Sequence, residues 1–491
     1  MKHIRILSLL LCAIISAGTL IACGDDVSLS PPAGGASTTA ADGNAEPAET
    51  ADPEAAEIEA ALAAVPETDL GGRPFNVLAR AAVGTSEKEI WVESENGDVL
   101  NDAVYRRNSL VNEKFNTEVT LITGDPNGGL KKSVLAGETI YDIAMPSIDA
   151  ASTLASGGVI MSFTALPYND LLKPWWELGT AELNISGKVF FMNSAINYLA
   201  DDVTYIMMFN KQLIKDYEME EPYQLVRDGK WTIDVFTQMI QNISTDIDGD
   251  GQYTENDLYG FIGTTGYPNA FFYGAGMSYI ESDSDTGLHL ALDTEKATQV
   301  LEKVNNIYHG NNAAWISPGG QEATGMNIFM GNGGLFYGEV LSYIVNMRKM
   351  ETDFGVLPVP KWNEAQENYH TYVANISSTM VIPMNCPDTA ALSSVLEAMT
   401  IFSRQYVTPA YYDIALSGKF ARDEESGEML EIIRRHRVYD FGMAYSVIGL
   451  SDVFSGLVNK GSSDLVSTYE KKASKAQTQI DKITAKFEEM G

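Results

Sequence analysis

Cysteine is nearly absent, with three in 491 residues at positions 12, 23 and 386. So few exclude a disulfide scaffold, and a stable fold then requires a sizeable apolar core. Bases are also scarce: 33 Lys and Arg face 66 Asp and Glu, a net charge of −33. Such a surface repels phosphate, which argues against nucleic acid or anionic lipid heads as partners. Enzyme signatures are missing too: there is no G-x-S-x-G elbow, H-E-x-x-H pair or G-x-x-x-x-G-K-[ST] loop. His289, His309, His370 and His436 show no metal-ligand spacing. Acidic residues are too numerous to exclude a glycoside-hydrolase pair, so a glycan-degrading enzyme stays an alternative. What is present is 45% hydrophobic and 10% aromatic residues, too rich for disorder and enough for two lobes.

Lys2 and Arg5 precede an apolar run from Ile6 to Ile21, too short for a comfortable transmembrane helix and flanked like a signal peptide. The run ends in Leu20-Ile21-Ala22-Cys23, which resembles the lipobox of bacterial lipoproteins. On that reading residues 1–22 are removed. Cys23 then receives diacylglycerol and palmitate, and the chain is anchored to the outer face of the cell membrane by lipid alone. An ordinary signal peptide ending at a chance cysteine is the competing reading. Cys386 is then the sole free thiol.

Residues 24–70 hold 11 acids, no Lys or Arg and no aromatic residue. Residues 23–70 are therefore expected to be a disordered, self-repelling tether. Within it Glu54–Ala64 could form a fraying helix, with nothing apolar enough to dock it. All 47 aromatic residues lie in 71–491, where 55 acids and 31 bases leave −24.

Periodicity in this folded part alternates between strands and helices. Strands are expected at Pro74–Ala79, Glu118–Ile122, Tyr141–Met145, Thr204–Phe209, Gly334–Tyr337, Phe354–Val359 and Val381–Pro383. Helices are expected at Asp98–Phe115, Leu130–Ala136, Thr232–Ile243, Asp293–Tyr308 and Asp464–Met490. Strand–helix–strand units of this length argue for an α/β fold with a largely parallel sheet. The last helix carries Leu465, Tyr469, Ala473, Ala476, Ile480, Ile483 and Phe487 on one stripe, suited to docking on its own domain.

One motif carries metal chemistry. Asp246, Asp248 and Asp250 stand at positions 1, 3 and 5 of an EF-hand-type loop, with Gly251 at position 6 and Asp257 at position 12. Gln252 would offer its carbonyl, and oxygen donors at this spacing suit Ca2+. Asp257 is one methylene shorter than the usual Glu, and Leu258–Phe261 looks like strand or loop rather than a second helix. An acidic turn without metal is the other reading. Tyr267, Phe271, Phe272 and Tyr273 cluster among glycines and Pro268. They are expected on a loop, where aromatic faces can stack on sugar rings.

Taken in order, Tyr141-Asp142-Ile143, Gly157–Ile160, Phe209-Asn210-Lys211, the Asp-rich turn before Tyr259-Gly260-Phe261, and Phe354–Lys361 resemble the extracellular solute-binding proteins of carbohydrate ABC transporters, similar to maltose-binding protein. Pro174-Trp175-Trp176 and Lys419-Phe420-Ala421-Arg422-Asp423 match segments common in clostridial-type members. The resemblance covers roughly residues 72–491. It implies a two-lobe, type II periplasmic-binding-protein-like fold, with lobe 1 at 71–200 and 338–378 and lobe 2 at 201–337 and 379–491. Hinge crossings are expected near Ala200–Tyr205, Phe336–Gly338 and Ser377–Val381. It further implies a monomeric, non-catalytic receptor that captures a solute, an oligosaccharide by preference, for permease subunits. Peptides and polyamines are the other solute classes considered. By position, the ligand residues would be Ser147, Asp149, Asp202, Tyr267, Phe271, Tyr337 and Glu339, with Trp315 and Trp362 as weaker candidates.

Overall fold

The computed structural model describes residues 53–80, 86–283, 287–310, 312–319, 321–416 and 424–489. Cys23, the signal segment, most of the tether and the segment 419–423 lie outside the described residues.

Two sheets organise the chain. Pro74–Arg80 (β1), Glu118–Gly124 (β2) and Ile143–Met145 (β3) form a parallel sheet in the order β2-β1-β3. The expected helix Val99–Phe115 connects β1 to β2. Asp98 caps it by accepting from Asn101 N, and Asn116 ends it in the left-handed region at φ 47°. The short strand Ile160–Met161 (β4) completes this half.

The larger sheet is built from Tyr205–Asn210 (β5), Tyr259–Thr264 (β6), Ala314–Ser317 and Gly334–Val340, with Phe354–Leu357 at its edge. Between the second and third of these, Ile280–Asp283 (β7) and Gly287–Leu290 (β8) pair as a small antiparallel ribbon. The three later strands are thus β9, β10 and β11, and the sheet order is β11-β5-β10-β6-β9. β6, β9 and β10 run parallel, and β5 runs antiparallel to both β10 and β11. Both faces are buried, which is why β5, β6 and β10 read as nearly continuous apolar runs.

Three stretches connect the halves. The first runs from Ile196 to Thr204, and the second returns after Thr371–Tyr372 (β12) to Ile382–Pro383 (β13), which pairs with β4. The third is helical: Thr389–Phe402 belongs to the first core, a π-helical turn follows at Ser403–Val407, and Thr408–Leu416 enters the second half. Two expectations are corrected here. Residues 354–357 belong to the second sheet and 380–402 to the first core, because pairing with β5 and β4 is non-local and leaves no trace in periodicity. Phe336–Gly338 is mid-strand in β10, not a crossing.

The tether expectation is also corrected in part. Pro53–Ala64 is a helix, and Ile58 and Val65 are each 6% exposed against the first core. Ile58, Ala61, Leu62 and Val65 recur at helical spacing, and that narrow stripe suffices to dock it. At the other end, Leu465–Glu489 docks through Leu465, Tyr469, Ala476, Ile480, Ile483 and Phe487. Phe487 stacks on Phe190 of the first half at 4.4 Å. Arg437–Val438 (β14), paired with β12, precedes this C-terminal region. No described helix is long and apolar enough to cross a membrane.

Candidate functional site

The C-terminal ends of parallel strands are where open α/β sheets bind ligands, since helices and strands leave a crevice there. Both sheets direct these ends toward the crossing at Val373–Ser378. From the first half, Ile148 N donates to Asn375 O and Ser377 O, and Arg80 Nη2 donates to Ile376 O at 2.9 Å. From the second half, the turn after β10 returns to the other crossing: Leu341 N donates to Thr204 O and Ser342 N to Asp202 O. Thr204 in turn bridges Val373. The edge between the sheets is therefore lined by the ends of β1, β3, β5, β6, β9 and β10.

At this edge, β10 presents Tyr337 and Glu339 on one face, two residues apart. Glu339 is 6% exposed; its Oε1 accepts from Val340 N, whereas Oε2 has no partner. Burial pushes its carboxyl up to about 7, against the backbone hydrogen bond and with Glu322 adding to the rise. Tyr337 is fully buried and its hydroxyl is likewise unpartnered. Tyr343 lies edge-on to Tyr337 at 6.4 Å. Tyr205, at the start of β5, belongs to the opposite face of the sheet, where its ring stacks on Tyr372 at 5.4 Å. Half-buried Trp315 on β9 packs where Gly325 leaves room: a Cβ there would lie 3.1 Å from its ring. Aromatic faces, phenols and carboxylates thus converge on one rim.

The sequence candidates fall into separate environments. Ser147 is half-buried at the N-cap of Ile148–Ser156, and Asp149 is exposed in its first turn. Asp202 sits in the crossing, where its carboxylate accepts from Tyr411 Oη at 2.7 Å; burial raises its pKa to about 6. Tyr267 and Phe271 are fully buried and pack edge-to-face at 5.2 Å. The expected aromatic loop is instead the helix Pro268–Gly274, with proline at its first turn. Tyr267 donates to Ile206 O, and its ring lies against Gly338, where a Cβ would approach to 2.6 Å. These two rings are core, and Trp362 stands apart under Lys303. Reading by sequence missed Glu322 and Tyr343, which reach the rim from a helix and a turn that share no local pattern.

In the acidic turn, Asp246, Asp248 and Asp250 bring ligand oxygens within 4.8 Å of one another. Gly249 and Gly251 take φ of 73° and 81°, and their amides donate to Asp246. Asp257 closes the loop differently from a bidentate ligand. Its Oδ1 accepts from Ile247 N and its Oδ2 from Thr254 N, and these bonds hold its pKa low. Gln252 keeps its amide on Asp250. The first three carboxylates fit a hard cation; the twelfth position is already committed to backbone.

The family model for bacterial extracellular solute-binding proteins matches residues 97–400. No curated protein matches by sequence. Among solved structures, the maltose/maltodextrin-binding domain from Bdellovibrio bacteriovorus bound to maltotriose is 11% identical, covers 83% of this chain and 100% of its own, and superposes with a TM-score of 0.51. A cyclic alpha-maltosyl-1,6-maltose binding protein from Arthrobacter globiformis gives 14%, 84%, 100% and 0.56. UgpB from Mycobacterium tuberculosis, in complex with glycerophosphocholine, gives 14%, 84%, 99% and 0.54. At these identities the likeness is one of fold: the two-lobed, type II periplasmic-binding-protein architecture.

Proposed function

This chain belongs to the bacterial extracellular solute-binding protein family, and from that premise we propose that it captures an oligosaccharide outside the cell and delivers it to an ABC importer without chemical turnover. The observation that carries the choice of solute is the rim of Trp315, Tyr337, Tyr343 and Glu339 at the end of the larger sheet. Ring faces stack on sugar C–H groups, and carboxylates accept hydroxyls. Two of the structural neighbours bind maltose-type sugars, which supports the same choice; the glycerophosphocholine neighbour keeps other solutes in the test. Ligand binding would favour a closed arrangement of the halves, which permease subunits recognise. On this reading the protein is a monomer, lipid-anchored through Cys23 at the outer face of the membrane, and acts through Ser147, Asp149, Tyr337 and Glu339 along with the rim.

A thermal-shift screen with sugars, peptides and amines tests the proposal, because a ligand at a hundred times its Kd stabilises by about 2.7 kcal/mol. Oligosaccharides should raise the melting temperature and be recovered intact. A shift from peptides or amines alone would sink the sugar reading, and released product would favour the glycan-degrading alternative. Replacing Cys23 with serine should free the protein from membranes. We propose in addition that Asp246, Asp248, Asp250 and Gln252 O hold a structural Ca2+, with Asp257 shaping the loop. Adding EDTA should then lower the melting temperature and calcium restore it; no response to either removes the metal from the account.

A further inference from the structure

We infer that the captured oligosaccharide carries a positively charged amino group, received by Glu339 beside the rings of Tyr337 and Tyr343. The inference rests on the oligosaccharide reading above and narrows it to amino sugars.

Two buried polar atoms at the rim have no protein partner: Oε2 of Glu339 and the hydroxyl of Tyr337. Both residues are more than nine-tenths buried. Leaving such atoms unsatisfied is costly, so a partner from outside the chain is expected. The charge around them decides which partner. Glu322 lies near enough to raise both groups, and the charges that Glu339, Tyr337 and Tyr343 feel include no Lys or Arg among the described residues. A neutral hydroxyl would satisfy one lone pair and leave the negative charge uncompensated. An ammonium supplies several donors and the missing positive charge together. Phenol rings add attraction through their negative faces, as in aromatic sites for organic cations. The upward displacement of the Glu339 carboxyl has the same origin, a buried negative charge without a counter-ion.

Titration calorimetry at pH 7 on the full chain would compare a glucosamine trimer, its N-acetylated counterpart and maltotriose. The glucosamine trimer should bind at least about tenfold more tightly than either neutral sugar, the scale set by losing one member of a buried charge pair. Glu339→Gln, isosteric but neutral, should abolish that preference. Tyr337→Phe keeps the ring, and should reduce the preference several-fold even if the glutamine variant folds poorly. Equal affinity for charged and neutral trimers overturns the inference and leaves the oligosaccharide reading standing, as does a preference that survives in either variant. Failure of every sugar to bind overturns both.

Discussion

A single carboxylate holds two of the three connections between the halves. Glu89 is fully buried; one oxygen accepts from Leu199 N at 2.6 Å, and the other from Ser378 Oγ. Burial drives its pKa up to about 8, the two hydrogen bonds oppose that, and Asp202 adds to the rise. Glu339 at about 7 has the same sense. Because these folded-state values lie above the unfolded value near 4.5, the stability they contribute is complete below that pH and lost as pH rises through 7 and 8. His370 and His436, lowered by burial, act oppositely and cost stability as pH falls below about 6.5. The melting temperature should therefore fall between pH 6.5 and 8.5, and Glu89→Gln should flatten that slope. Calorimetry across the range checks this; a flat or rising wild-type curve contradicts it. Glu89 was invisible in the sequence because its partners lie 110 and 289 residues away. The shared face of Tyr337 and Glu339 was legible, since alternate strand residues point the same way.

Elements were read best where local chemistry alone decides them. Asp98, Thr232 and Asp293 each cap the helix the spacing predicts, and the stripe from Leu465 to Phe487 is buried along its length, apart from a partly exposed Ala473. Glycine and proline mislead as loop markers here: Pro268 starts a helix rather than breaking one. Composition misled in the same way at Pro53–Ala64, where four apolar residues among acids proved enough. That helix also pairs Glu57 with Lys173 at 3.0 Å and Glu54 with Arg404 at 2.5 Å, but exposed pairs contribute little. Burial of Ile58 should dominate. Ile58→Ala should cost about 2–4 kcal/mol, and Glu57→Gln less than about 1 kcal/mol, by urea unfolding. Equal effects would show that charge, not packing, holds the helix.

At the scale of the molecule, strand order was the least legible feature, as the misplaced segments 338–378 and 379–402 show. Pairing of β11 with β5 or β13 with β4 depends on partners far along the chain. A buried ion cluster reinforces that arrangement. Arg437, 8% exposed, reaches Glu177 of the first half and Asp201 of the crossing, the latter at 2.8 Å. Burial raises both carboxyls, and Arg437 counters it. Arg437→Met would strand two buried carboxylates, so we expect a loss of about 3–5 kcal/mol. The triple neutral variant, with Glu177→Gln and Asp201→Asn, should recover much of it. A single variant as stable as wild type would mean that the cluster is solvated.

The stack of Phe487 on Phe190, with Lys188 Nζ donating to Phe487 O across 299 positions, also bears on how the chain is made. The first half lacks part of its core until the final helix has been synthesised. A nascent chain then keeps apolar surface uncovered for most of its synthesis, and contacts this distant in sequence form slowly. A protein assembled in this way should commit to folding only once the C-terminal helix arrives.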